Sequence, residues 1–317
     1  MKKSVWILLG LGALLIVALI ICFARWLGPA ASAPRASSLA DCGRHGVPAC
    51  ASPFQRADLR INADVFLDQK SLIEAFATTK PAVSDCPNYR GGIVNHHVLA
   101  ADLLAKFFME MQRCRPDVTR IVILSPDHYQ QSLKPFATFR DGYTSEGDAI
   151  AMDTEAIDQL LKNSSVTEDA RLFKGEHGIA ALIPFLHRVY PGVKVIPLVV
   201  RIQLLRKDAE GMVKMLKPLI DEKTVLIVSS DMSHYLTELK AVQNDEVTKK
   251  ALVNRDADFF WSANDDFTDN GKSIWIAQTL FPDSTWTLQS QNISSRYDGT
   301  PAYTTTYLNG FWAISTP

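Results

Sequence analysis

The chain has 317 residues, 47% of them hydrophobic and 21% charged, with 33 Lys+Arg against 34 Asp+Glu for a formal net charge of -1. That balance removes any bulk electrostatic reason to bind nucleic acid, and the apolar content excludes a generally disordered chain. The length admits one large domain or two ordinary ones and is enough to bury a substantial core.

The first predicted element is an apolar run from Val5 to Ala24 that carries no charge. As a helix it would be roughly 30 Å long, the thickness of the bilayer core. Lys2 and Lys3 precede it and Arg25 follows. Residues 1–4 are therefore expected in the cytoplasm, 5–24 as a single transmembrane anchor, and the rest of the chain outside the cytoplasm. The alternative is a signal peptide, cleaved near Pro29-Ala30-Ala31-Ser32-Ala33 to leave a secreted protein, although the run exceeds the usual apolar core of about 7–15 residues. Residues 25–58, rich in Ala, Ser, Pro and Gly, read as a linker, and 59–317 as one α/β domain. Cys42, Cys50, Cys86 and Cys114 lie beyond the span, an even number suited to disulfides in an oxidising compartment. Cys42 with Cys50 would staple a short loop, and Cys86 with Cys114 would tie a loop to a helix end. Sequence leaves the connectivity open.

Within the domain, apolar spacing predicts helices over 64–79, 98–113, 153–162, 178–190, 207–220, 237–254 and 272–280. Strands are predicted over 91–95, 119–125, 193–200, 224–230, 285–291 and 302–314. Continuous apolar strands alternating with helices predict an α/β fold with a central, mostly parallel sheet flanked by helices.

Ligands in such sheets bind beyond the carboxyl ends of the strands. Strand 91–95 runs into Asn95-His96-His97, strand 119–125 into Pro126-Asp127-His128, and strand 224–230 into Asp231-Met232-Ser233-His234. Glu176-His177 stands just before a helix. Five of the seven His fall in these motifs, while His45 and His187 do not. Imidazole is a common metal ligand and a ready general base. A lone His at a strand end is more often a cap or a loop hydrogen-bonder, Asp231 suits a helix N-cap, and Glu176 suits the positive end of a helix. The coincidence of the motifs favours a shared site. Ser125, Ser229 and Ser230 invite a hydrolase reading, but there is no G-x-S-x-G, and no nucleotide-binding glycine motif occurs.

Taken in order, N-H-H, I-L-S-P-D-H, E-H-G-x-x-x-L-x-P-F-L and S-S-D-M-S-H, followed by S-S-R-Y-D-G-T-P-A-Y-T-T-T-Y-L-N-G-F, resemble the Memo family, also called AmmeMemoRadiSam system protein B, over about residues 60–317. The resemblance implies a fold similar to LigB-type class III extradiol dioxygenases, which use non-haem iron. It implies His96 and His128 as metal ligands, with His97 as an alternative ligand. His177, Glu176, Asp231 and His234 would line the pocket in catalytic roles, His234 or His177 as general acid/base and Asp231 orienting an imidazole. The family's third ligand is the Cys of a Cys-Gly pair, matched here by Asn270-Gly271, so the thiolate is absent. A neutral amide binds weakly, and Asp269, Glu176 or Asp231 would complete a 2-His-1-carboxylate set for Fe(II).

The function so implied is a membrane-anchored, metal-dependent redox protein, dioxygenase-like, holding iron or copper before zinc. Metal-assisted hydrolysis would use the same His set. The alternative is a non-enzymatic protein without metal that binds a peptide or small molecule, as phosphopeptide-binding relatives do. The family's other name also implies a functional link to a radical-SAM protein.

Overall fold

A computed structural model describes residues 60–80 and 85–314. The expected anchor at 5–24, the linker at 25–58 and the Cys42–Cys50 staple lie outside these residues. Among the described residues no helix is long and apolar enough to cross a membrane.

The strands in chain order are β1 (Ile61–Asn62), β2 (Asn88–Val94), β3 (Arg120–Pro126), β4 (Phe136–Thr138), β5 (Tyr143–Ser145), β6 (Asp148–Ala149), β7 (Val166–Glu168), β8 (Lys194–Val200), β9 (Thr224–Ser229), β10 (Ser284–Ile293) and β11 (Thr306–Ile314). The α-helices are α1 (Gln69–Thr78), α2 (Ala101–Cys114), α3 (Thr154–Leu161), α4 (Ala170–Gly175), α5 (His177–Ala180), α6 (Ile183–Val189), α7 (Arg206–Leu216), α8 (Glu238–Asn254), α9 (Ala257–Ser262), α10 (Gly271–Leu280) and α11 (Ser295–Asp298).

The core follows from the strands' alternation. Ile121, Ile123, Val195, Val199, Val225 and Ile227 enter one apolar cluster. Their neighbours Val122, Leu124, Ile196, Leu198, Leu226 and Val228 enter a second. Successive side chains point to opposite faces of a sheet, so β3, β8 and β9 are apolar throughout because each supplies both clusters.

The main sheet has eight strands in the order β10-β11-β2-β9-β3-β8-β4-β7. Its centre, β2-β9-β3-β8, is parallel. The flanks correct the mostly parallel expectation to a mixed sheet: β11 is antiparallel to both β10 and β2, and β4 is antiparallel to β8. For β4 the cause is the connection. Residues 127–135 join it to β3 without a helix, and a return to parallel needs a crossover of about a dozen residues or more.

Helix ends also moved. The predicted helix 64–79 begins only at Gln69, because Asp68 accepts from Ser71 N at 3.0 Å and caps it there. The predicted helix 178–190 divides into α5 and α6, the second carrying Pro184 in its first turn, where a missing N–H costs no helical bond. Residues 302–305 precede β11 rather than belong to it. Cys86, just before β2, is bonded to Cys114, the last residue of α2.

Candidate metal centre

Because β2, β9 and β3 are adjacent and parallel, their carboxyl ends bring the polar motifs to one edge of the sheet. Asn95, following β2, is locked by a reciprocal pair with Asn309 of β11: its N–H donates to Asn309 Oδ1 at 2.9 Å, and Asn309 Nδ2 donates to Asn95 Oδ1 at 2.8 Å. This fixes the next residue, His96, which is buried and whose N–H donates to Asp231 Oδ1 at 3.0 Å. Its Nδ1 lies 2.9 Å from Ser229 Oγ.

His128 follows β3. Asp127 accepts from the N–H groups of Gln131 and Ser132 and so folds the turn beyond it. Glu176 is almost fully buried and serves three donors: Gly178 N at the start of α5 (2.8 Å), His128 N (3.1 Å) and His128 Nδ1 (2.6 Å). An N-cap carboxylate thereby becomes the holder of an imidazole.

The donors converge. His96 Nε2 and His128 Nε2 are 3.1 Å apart. Asp269 Oδ2 is 3.2 Å from the first and 3.6 Å from the second. Ligands that share one cation at about 2.0–2.2 Å stand roughly 3–3.5 Å from one another, so this spacing fits a metal. His177 completes a group of three His, with ligand atoms all within 4.8 Å of one another, that is positioned to hold a metal ion. Its ring stacks on His128 with centroids 4.1 Å apart. His234 Nε2 is 4.0 Å from Asp269 Oδ2, while its Nδ1 is buried without a hydrogen-bond partner among the described residues. A clustered set of imidazole and carboxylate lone pairs is the chemistry of a cation site.

The electrostatics agree. Burial works against the charged ring of His96, but the carboxylates of Asp231 and Asp269 outweigh it and raise its pKa. Burial likewise opposes charge on His128, yet hydrogen bonds to Asp269 and Glu176 push its pKa up to about 10. For Asp269, burial favours the neutral acid, but the facing His96, His128 and His234 hold the carboxyl far below the usual range. His177 moves the other way, down to about 4, because it is buried and faces the charge of His96 and His128. The carboxylates hold positive charge at the centre of the cluster.

All five motif histidines, His96, His97, His128, His177 and His234, line one cavity of about 520 Å³ together with Asp231. Phe66, Tyr129 and Tyr235 form aromatic walls, and no Lys or Arg is among the described lining residues. His97 stands apart from the donor cluster. Its Nδ1 pairs with Tyr307 Oη at 2.8 Å, and burial lowers its pKa. His187 is elsewhere, near Asp148.

Asn270, a possible third position from its sequence match, is held by the ends of two strands. Its amide nitrogen donates to Leu124 O at 3.2 Å and Ser229 O at 2.8 Å, carbonyls at the ends of β3 and β9. It pins the segment to the sheet, and the neighbouring Asp269 supplies the carboxylate near the imidazoles, with Oδ1 accepting from Ser230 Oγ at 2.9 Å. The serines are structural as well: Ser125 is fully buried beside Gly178, and Ser229 bonds His96. Sequence reasoning gave no role to Asn309, Tyr307 or Phe66: the first two stand in the C-terminal run quoted for the resemblance, but their contacts to Asn95 and His97 join segments far apart in the chain.

Comparison with known proteins finds relatives of this chain. A MEMO1 family protein of Caldivirga maquilingensis is 26% identical over 183 residues, covering 55% of this chain and 64% of that protein. One from Archaeoglobus fulgidus is 25% identical over 147 residues, covering 44% and 54%. The chain thus spans between half and two thirds of the length of these relatives. A crystal structure of an uncharacterized Escherichia coli K12 protein, JW3007, aligns with a TM-score of 0.45 at 14% identity, covering 71% of this chain and 100% of that one. The sequence pattern of the Memo-like protein family matches residues 68–263, more than half of the chain, and the protein belongs to that family.

Proposed function

We propose that the chain is a membrane-anchored, extracytoplasmic metalloprotein in which His96, His128 and Asp269 form a 2-His-1-carboxylate centre serving redox chemistry. The observation that carries this reading is the mutual spacing of the three donor atoms, 3.1, 3.2 and 3.6 Å. Two imidazoles and a carboxylate, with no thiolate among them, favour iron over copper, and bound Fe(II) with open positions supplies oxygen or electron-transfer chemistry. The chain's own residues do the rest. Glu176 orients the His128 imidazole, Asp231 holds the backbone N–H of His96, and His177 and His234 line the cavity where they can exchange a proton with a bound molecule. Phe66, Tyr129 and Tyr235 add aromatic surface to the cavity, and no Lys or Arg is among its described lining residues.

The location outside the cytoplasm is supported by the apolar run 5–24 and by the Cys86–Cys114 bond, which persists in oxidising compartments. The test is metal titration of the full chain in detergent. His96→Ala, His128→Ala and Asp269→Ala should each weaken Fe(II) binding by at least about 100-fold, while His97→Ala stays within about threefold. A wild-type chain that takes up no Fe(II), or an affinity untouched by these substitutions, refutes the reading.

A further inference from the structure

Ser229 ends β9 and is fully buried. Its hydroxyl meets two groups, the carbonyl oxygen of Gly178 and Nδ1 of His96. A carbonyl can only accept, so the one hydroxyl hydrogen goes to Gly178. Ser229 Oγ then offers His96 only lone pairs, and Nδ1 of His96 must carry a hydrogen. A neutral imidazole has a single N–H, so Nε2 is left bare. That bare nitrogen is the atom 3.1 Å from His128 Nε2 and 3.2 Å from Asp269 Oδ2. On the other side, the Glu176 carboxylate accepts from His128 Nδ1, so a His128 ring in its neutral form leaves Nε2 bare in the same way. Two lone pairs and a carboxylate oxygen at this range repel unless positive charge sits among them.

Ser229 has further ties. Its backbone pairs with Val94, two residues before His96, and its carbonyl accepts from Asn270 Nδ2, one residue after Asp269. Gly178, which takes its hydroxyl hydrogen, follows His177. A single residue, through its side chain and its backbone, therefore stands between the segments that bear His96, His177 and Asp269.

Building on a cation held at this centre, we propose that Ser229 is a positioning residue: it sets which nitrogen His96 presents to the metal by spending its own hydrogen on the Gly178 carbonyl. Removing the hydroxyl frees His96 Nδ1 from its acceptor, and the ring then distributes its hydrogen over both nitrogens, blocking Nε2 for part of the time.

The experiment uses the full chain in detergent, with Ser229→Ala and Ser229→Thr, and two readouts. One is ¹⁵N NMR of the His96 ring without metal, at a pH where the ring is neutral. The other is Mn(II) affinity by titration. In the wild type the hydrogen should sit on Nδ1. Ser229→Ala should show a mixture with the Nε2–H form and bind Mn(II) about 10–100-fold more weakly, while Ser229→Thr, which keeps the hydroxyl, should return to within about threefold. A wild-type His96 protonated on Nε2 overturns the proposal without any variant, as does a Ser229→Ala chain with unchanged tautomer and unchanged affinity. A wild type that binds no Mn(II) refutes the metal centre instead, and the tautomer measurement still decides the role of Ser229.

Discussion

Asp245 is a buried carboxylate that the candidate metal site does not use. It lies on α8, where Oδ1 accepts from Thr306 Oγ1 at 2.6 Å and Oδ2 is buried without a partner among the described residues. Burial pushes its pKa up to about 7 from the ordinary aspartate value of 3.8. A carboxyl raised on folding stabilises the fold in its protonated form. That contribution is complete below about pH 4 and is lost as pH rises through 7. Asp245→Asn keeps the neutral shape at every pH. We expect the difference in unfolding free energy, variant minus wild type, to grow between about pH 4 and pH 7 and to level off at a few kcal/mol, on the order of 3, above that. Denaturant midpoints across this range provide the check, and parallel profiles for the two chains count against it. At this scale much of the site was legible, because His, Asp and Glu at strand ends have few structural reasons to cluster. Asn270 was not, because its role depends on carbonyls of two strands far away in sequence.

Among the elements, β11 and its neighbours pack too closely for side chains at some positions. A Cβ on Gly310 would lie 2.4 Å from the backbone oxygen of Thr287 and 2.5 Å from the Trp286 ring. Gly310→Ala should therefore destabilise the protein by about 3 kcal/mol, measured by urea unfolding, since neither the strand oxygen nor the buried ring can move aside cheaply. A loss near zero would mean that β10 shifts more easily than its pairing suggests. The long apolar strands β3, β8 and β9 were readable because each is buried on both faces over six residues. The strands β1, β4, β5, β6 and β7 have two or three residues each, too few for any periodicity, and exist only through the partners they pair with. The same limit hid α4 and α9, of six residues each.

For the molecule as a whole, the Cys86–Cys114 bond closes a loop spanning 28 residues that contains β2, His96 and most of α2. Loop-closure entropy for a ring of that size gives roughly 3–4 kcal/mol of stabilisation through the unfolded state. Reduction, or Cys86→Ser with Cys114→Ser, should lower the unfolding free energy by about that amount while leaving Fe(II) affinity of the folded chain within about threefold. A large loss of affinity in the folded variant would show that the bond also shapes the centre. The alternation of strands and helices made the α/β class visible from sequence, but not the mixed sheet, since strand direction depends on which distant partner each strand finds. The order β10-β11-β2-β9 has a temporal meaning as well. β11 is the last strand of the sheet to be synthesised, yet it lies inside it. Its Asn309 locks Asn95, its Tyr307 holds His97, and Thr306 binds the backbone of Met232 and Ser233. A ribosome that has already made every metal-ligand candidate has therefore not yet made the strand that sets them in place, and the candidate site can be completed only after β11 has followed those residues out of the ribosome.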